Sequence, residues 1–206
     1  WSQPKEPATH TVRLRFKIQC AVEIPDVKLG LEIINSLRNA DKNTVTMIPR
    51  FNKAIDDVYP KSEWTKFVGK PDVVLINGWC IDATAQDDSE LITPVNELEA
   101  TEDKDCVWRR YVNDQLKTTY KDLFDTINFL VMLQIPSYDK VFEWRNLQEE
   151  KLRIKNQGKE ATHIMTPDQV RRFIAHYERI TRHILAEMPE RADMLFKVND
   201  NHRLYI

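Results

Sequence analysis

The stretch Asp72-Val73-Val74-Leu75-Ile76-Asn77-Gly78 decides the fold class. It is a short, continuous apolar run that ends at a glycine, which is typical of a strand covered on both faces in a parallel sheet. A second run of this kind extends from Phe129 to Ile135 and is closed by Pro136. We therefore expect two buried parallel strands in the second and third quarters of the chain.

Helical patterns alternate with these runs. A first helix is predicted from Pro25-Asp26 to about Arg38, because its apolar residues recur at helical spacing. Further helices are predicted over about 105–124, from Ser137 onward, and from Thr166 to about Met188, where Thr166-Pro167-Asp168-Gln169 forms a capping box. Residues 82–101 are predicted to form a loop, and residues 45–48 and 194–198 short strands. This alternation predicts a three-layer α/β domain with a mostly parallel sheet.

The N-terminal region has a different pattern. From His10 to Gln19 apolar and cationic residues alternate, which predicts a half-exposed strand of a hairpin or sheet edge rather than a buried parallel strand. We therefore divide the chain into an atypical N-terminal segment, residues 1–25, and an α/β domain, residues 26–206.

Composition narrows the functional classes. The 206 residues include 30 Lys and Arg against 32 Asp and Glu, a formal charge of −2 with no basic block, which argues against binding to nucleic-acid polymers. No apolar run approaches the roughly 20 residues that cross a bilayer, and the first residues lack a signal-peptide pattern. The three cysteines show no paired spacing, so we expect free thiols in the cytoplasm. Composition leaves the oligomeric state open.

Polar residues follow the predicted strands at two places where ligands of open parallel sheets bind. After Ile48, Arg50 can clamp a carboxylate by two parallel hydrogen bonds, and Lys53 adds a point charge ahead of Asp56 and Asp57. The alternative for this segment is a solvated loop with local ion pairs.

The second of these places and two places on helices also hold candidate residues, and each has a purely structural interpretation. Trp79, after the strand 72–77, either walls a pocket or packs against the next helix. Arg109 and Asn113 either face an anion or lie on a helix surface. Arg145 shares a helix face with Gln148 and Glu149, either as a lid that brings a guanidinium to a transferring phosphate or as an exposed face.

Taken in order, segments along the chain resemble D-glycerate 3-kinase-like proteins. The resemblance runs from about Asp26 to the C-terminal residue, and its strength lies in the ordered series rather than in any one motif. The segments that carry it are residues 49–57, Trp64, 72–75, 78–80, 94–99, 108–113, 141–150, 177–181 and 201–203.

The resemblance implies a P-loop kinase fold related to uridine kinase and phosphoribulokinase. It implies phosphoryl transfer from ATP, with Mg²⁺, to a hydroxyl of D-glycerate or a similar acidic small molecule. It implies catalytic roles for Asp56, Asp57 and Arg145, and assigns no metal ligand. The substrate-binding residues that we assign with it are Asp26, Arg50, Lys53, Trp79, Arg109 and Asn113.

The sequence departs from the family pattern at several positions. The family carries GxxxxGK[ST], but none of the four glycines here precedes Lys-Ser or Lys-Thr. Asn77, Asn52, Val58 and Pro25 stand where the family has an acidic residue, Asp, a basic residue and His. Two other hypotheses therefore stand beside the kinase. One is a catalytically silent relative that acts as a binding or interaction module, and the other is a protein that binds sugar or acid phosphates through the acceptor pocket alone.

Overall fold

The computed structural model describes residues 11–15, 27–52, 57–155 and 164–206. The chain divides into two compact units, Trp1–Ile81 and Asp82–Ile206. The boundary that we predicted between residues 25 and 26 lies outside the described residues and stays a prediction. Among the residues described, no helix combines the length and the apolar character needed to cross a bilayer.

The described part of the first unit contains one α-helix and six short strands. In chain order these are β1 (Thr11–Arg15), α1 (Val27–Arg38), β2 (Val45–Ile48), β3 (Phe51–Asn52), β4 (Asp57–Val58), a 3₁₀ turn (Lys61–Glu63), β5 (Thr65–Val68) and β6 (Val73–Asn77). The prediction of α1 is confirmed, because Val27, Ile34 and Leu37 of its apolar stripe are buried. Helix α1 packs against β2, where Ser36 Oγ and Thr46 Oγ1 share a hydrogen bond of 2.9 Å.

Strands β1 and β6 correct two expectations. They pair in parallel, with Thr11 opposite Val73 and Arg15 opposite Asn77, whereas the alternation of β1 had favoured a hairpin or a sheet edge over a parallel strand. An alternating pattern could not reveal a partner that lies about 60 residues away in sequence. Val73 and Leu75 are 47% and 44% exposed, so β6 is not covered on both faces as its apolar run predicted.

The described part of the second unit is mainly helical. Its elements are α2 (Glu97–Glu102), α3 (Val107–Lys117), α4 (Thr119–Phe124), β7 (Val131–Gln134), α5 (Asp139–Lys155), α6 (Pro167–Ala175), α7 (Glu178–Arg191), β8 (Met194–Val198) and β9 (Leu204–Tyr205). The capping box of α6, the strand β8 and the parallel pairing of β7 with it confirm the predictions. Strand β7 is not covered on both faces as expected, because Val131 and Leu133 are 45% and 58% exposed. Strand β9 was not predicted.

The predicted helices are divided more finely than expected. The helix over 105–124 breaks at Thr118, whose hydroxyl donates to the Asp114 carbonyl, 2.7 Å away, a local bond that competes with regular helix geometry. The helix after Thr166 breaks into α6 and α7 at residues 176–177. The predicted loop over 82–101 contains the start of α2, which is capped by the Asn96 side chain accepting from the Glu99 N–H.

Strand pairing is mixed rather than mostly parallel. The pairs β1–β6 and β7–β8 are parallel, and the other described pairs, β2–β5, β3–β4 and β8–β9, are antiparallel. Two of the antiparallel pairs join strands separated by only a few residues, a connection that is too short for a parallel crossover. A mixed α/β fold is therefore confirmed in the described residues.

The sheet β7–β8–β9 leaves one apolar face open. Met132 is 4% exposed on the opposite face, whereas Leu133 is 58% exposed. Cross-strand register places Val131 beside Met194 and Leu133 beside Phe196 on the open face. Because β9 pairs antiparallel with β8, the sheet is mixed, and an uncovered face is compatible with such a sheet.

Replacing Leu123 tests where the core lies. Leu123 in α4 is almost fully buried, so Leu123→Ala should lower the free energy of unfolding by about 2–5 kcal/mol, measured by urea denaturation. Leu133→Ala removes the same atoms from an exposed position and should change it by about 0.5 kcal/mol or less. Equal losses in the two variants would contradict this placement of the core.

Candidate functional site

Arg50 extends from the end of β2 and is exposed. Its guanidinium lies 5.1 Å from the centroid of the Tyr59 ring, and Nη1 donates a 3.4 Å hydrogen bond to the Glu63 carbonyl. The Tyr59 N–H donates to the Arg50 carbonyl at 2.8 Å, which fixes the backbone across this short sheet. Arg50 is thus oriented by a ring, and within the described part of the chain most of its donors have no acceptor, an arrangement that can bind a carboxylate.

Lys61 is a second cation in this segment that the sequence analysis did not identify. Its Nζ lies 5.7 Å from the Trp64 ring centroid, and Trp64 Nε1 donates to the Tyr59 carbonyl at 2.7 Å. The spacing Lys61-x-x-Trp64 was visible in the sequence, but nothing in it showed that a turn would bring the two side chains together.

The remaining acceptor candidates are less defined. Asp26, Lys53 and Asp56 lie outside the described residues. Asp57 is in β4, with its backbone opposite Asn52, and its side chain also lies outside the described part.

Trp79 and Arg50 follow strands of different sheets. Trp79 is exposed and follows β6, which pairs with β1, whereas Arg50 follows β2, which pairs with β5. The described strand pairs therefore do not bring the two side chains to the edge of one sheet.

Arg109 and Asn113 lie on the buried face of α3. Arg109 is 6% exposed, its Nε donates to Cys106 Sγ at 3.0 Å, and its Nη1 lies 3.4 Å from Glu99 Oε2. Asn113 exchanges two hydrogen bonds with the Gln86 backbone, one of 2.9 Å from its Nδ2 and one of 2.8 Å to its Oδ1. Both side chains hold the segment 82–102 in place, and their predicted role in substrate binding stays a prediction.

The carboxylate of Glu99 is the centre of a buried network. Arg179 on α7 binds it through two hydrogen bonds, from Nε to Oε1 at 2.8 Å and from Nη2 to Oε2 at 2.7 Å. The Val95 N–H also donates to Oε2, at 3.0 Å. The other Arg179 donors reach the Gln86 side chain and the carbonyls of Glu90 and Thr93. This guanidinium is fully occupied within the protein, so it serves structure rather than ligand binding.

These contacts set the charge of Glu99. Burial raises the pKa of its carboxyl group, but the hydrogen bonds from Arg179 and the Val95 N–H, with the charges of Arg179 and Arg109, outweigh burial. The pKa of Glu99 is therefore below its ordinary value, and the group is held as a carboxylate.

Arg145 is held within its own helix. Its Nη1 donates to Gln148 Oε1 at 2.9 Å, and its Nη2 forms an ion pair of 2.6 Å with the buried Glu149. The guanidinium centre lies 5.6 Å from the Phe173 ring centroid, and the buried Nε has no hydrogen-bond partner. Glu149 Oε2 also accepts from the Met165 N–H at 3.0 Å, so this ion pair joins α5 to the approach to α6.

These elements in this order can be compared with known structures. The fold is similar to that of D-glycerate 3-kinase. The structure of the enzyme from Cryptococcus neoformans var. grubii matches with a TM-score of 0.63 and 21% sequence identity, over 87% of this chain. The structure of YGR205w protein matches with a TM-score of 0.67 and 17% identity, over 96% of this chain and 77% of that one.

These matches have limits. The chain spans 64% of the length of the D-glycerate 3-kinase that it matches. No family model matches this sequence, and a comparison with the curated proteins finds no match either. At this level of identity the likeness to D-glycerate 3-kinase is one of fold, and the roles of individual residues stay predictions.

Three of the segments that carried the resemblance to D-glycerate 3-kinase-like proteins meet at Glu99. Segment 94–99 contains Glu99, segment 108–113 contains Arg109, and segment 177–181 contains Arg179. Much of the resemblance therefore lies in residues that stabilise the second unit.

The described residues lack a side-chain cluster for a metal ion, and the sequence lacks the usual phosphate loop. None of them forms a group of three or more His, Cys, Asp or Glu side chains that could hold a metal ion. The 206 residues contain no GxxxxGK[ST] loop, whose backbone N–H groups would surround the phosphates. We therefore derive no transfer step through the nucleotide.

Arg179→Gln tests the network around Glu99. The variant leaves a buried carboxylate without its main partner, so the free energy of unfolding should fall by about 3–5 kcal/mol in urea denaturation. Arg172→Gln is the matched control, since it breaks an exposed pair with Glu102 and should leave the free energy of unfolding nearly unchanged in the same measurement. A similar small effect of both substitutions would contradict a structural role for Arg179.

Acid unfolding should depend on Glu99. Because folding lowers the pKa of this carboxyl group, its contribution to stability is complete above the unfolded-state pKa of about 4.3 and is lost as the pH falls through the lower, folded-state pKa. Glu99→Gln should therefore reduce stability at neutral pH and flatten the decline below about pH 5. Urea titrations at a series of pH values would show this, and parallel curves for the two proteins would contradict it.

Proposed function

We propose that this chain binds D-glycerate or a similar small hydroxy acid as the acceptor side of an ATP-dependent phosphotransferase. The observation that carries the proposal is the likeness of fold to D-glycerate 3-kinase over 87% of the chain. Fold alone is compatible with several functions, so the proposal also depends on the chemistry of the acceptor segment. We place the activity in the cytoplasm, where the buried thiols of Cys80 and Cys106, which form no disulfide in the described part of the chain, would stay reduced.

The acceptor segment offers the groups that a hydroxy acid needs. The open donors of Arg50 suit the two oxygens of a carboxylate, and Lys53 would add a second positive charge. Asp56 or Asp57 would accept the proton of the attacking hydroxyl, as a positioned carboxylate does in kinases. The resemblance adds Trp79 as an apolar wall beside the carbon chain, although the described strand pairs do not bring it to the sheet edge that precedes Arg50.

ATP and Mg²⁺ enter the proposal through the resemblance alone. Binding of the acid requires only residues of this chain, whereas phosphoryl transfer also requires a phosphate site, and the sequence contains no GxxxxGK[ST] loop of the usual kind. Arg145 would reach the transferring phosphate only after exchanging its contacts with Gln148 and Glu149 for the phosphate oxygens.

The state of Arg145 favours a second candidate, a catalytically silent relative that binds a ligand or partner. An arginine that is already paired with a buried carboxylate gains little by leaving it, since Glu149 would then be buried without its cation. Such a protein would retain acceptor binding and lack transfer.

Calorimetric titration with D-glycerate tests whether the chain has an acceptor site, which both the kinase and the silent relative require. We expect saturable binding that Arg50→Gln weakens about tenfold, since one charge-assisted contact is lost. Lys28→Gln removes one exposed positive charge from the same unit and should leave the affinity unchanged.

The absence of saturation up to about 10 mM D-glycerate, which corresponds to a binding free energy of only about −3 kcal/mol, would contradict the proposal. Formation of a phosphorylated acid after addition of Mg²⁺–ATP would support the kinase, whereas binding without transfer would support the silent relative.

A further inference from the structure

A groove of about 330 Å³ lies in the second unit between the start of α5 and the helices α6 and α7. Its lining combines apolar side chains with charged ones of both signs. The residues are Tyr138, Asp139, Phe142, Glu143, Arg171, Ile174, Ala175 and Glu178. None of them is among the residues assigned above to acceptor binding, so the groove is a separate candidate site.

Two of the lining carboxylates are already neutralised. Glu143 Oε2 accepts from Lys140 at 2.8 Å. Glu178 accepts from Arg182 at 2.8 Å and from Asn96 at 3.1 Å. The Tyr138 hydroxyl is also engaged, because it donates to the Ile174 carbonyl at 2.8 Å. These groups shape the groove and have little capacity left for a charged ligand.

Two opposite charges of the lining remain without a partner. The Arg171 guanidinium lies 4.4 Å from the Phe142 ring centroid, which orients it, yet within the described part of the chain it has no hydrogen bond or ion pair. The carboxylate of Asp139, at the start of α5, likewise has none there, and the two do not pair with each other. The groove therefore combines an unpaired positive and an unpaired negative charge with apolar side chains, among the residues described.

We propose that this groove binds a zwitterionic small molecule, a free α-amino acid with an apolar side chain. Its carboxylate would accept two hydrogen bonds from Arg171, its ammonium would donate to Asp139, and its side chain would lie on Phe142, Ile174 and Ala175. At roughly 30 Å³ for each water, the volume equals about ten water molecules and accommodates a ligand of that size. A ligand with one charge alone would leave the opposite lining charge uncompensated and would bind more weakly.

The test uses three forms of one amino acid on the ¹⁵N-labelled chain. L-leucine carries both charges, N-acetyl-L-leucine only the negative one, and L-leucine methyl ester only the positive one. We expect saturable shifts of the amide signals of Asp139, Arg171 and Ala175 with L-leucine, and at least tenfold weaker effects with the other two. Binding of either blocked form as tightly as L-leucine, or no response to L-leucine, would overturn the proposal.

Variants then test the two charges separately. Arg171→Gln and Asp139→Asn should each weaken L-leucine binding about tenfold or more, because each removes one charge-assisted contact. Arg172→Gln is the matched control on the same helix, since Arg172 is bound to Glu102 and does not line the groove. An unchanged amide spectrum outside the groove verifies folding of each variant, and undiminished binding by folded Arg171→Gln would overturn the proposal.

Discussion

A largely buried ion pair, that of Glu99 with Arg179, holds the irregular segment 82–102 of the second unit against α7. Removing a carboxylate and a guanidinium from water is unfavourable unless nearly all of their hydrogen-bonding capacity is used. Here the Arg179 donors reach Glu99, the Gln86 side chain and two backbone carbonyls, while Glu99 also accepts from the Val95 N–H. The irregular segment 82–102 obtains its conformation from α7 in this way, although few of its own residues form regular structure.

The same network explains why polar residues can mislead when function is inferred from sequence. An arginine on a helix is equally suited to bind a phosphate or to satisfy an internal carboxylate, because its planar donors match both. Arg109 and Asn113 are occupied by Cys106, Glu99 and the Gln86 backbone, so they support the position of neighbouring segments. A resemblance built from such residues reports on shared architecture, and chemistry must be argued from residues with open donors, such as Arg50.

Local signals explain which elements were predictable. The apolar spacing of α1 and the capping box at Thr166 are properties of a few neighbouring residues, and both were read correctly. The partners of β1 and β2 depend on distant residues, so a parallel pair and an antiparallel pair could not be distinguished in advance. The Glu99–Arg179 pair spans 80 residues, and the candidate groove arises only where α5, α6 and α7 meet. No local sequence pattern predicts the ion pair or the groove.

The open apolar face of β7–β8–β9 should affect how well the chain refolds from denaturant. The exposed apolar side chains of this face can associate with other chains that are still folding. They are Val131, Leu133, Met194 and Leu204. Because encounters between chains depend on concentration while closure of the core does not, recovery of native protein from denaturant should decline as the chain is concentrated. The protein concentration, or the presence of a mild detergent that covers the face, should then affect the refolding yield more strongly than temperature does.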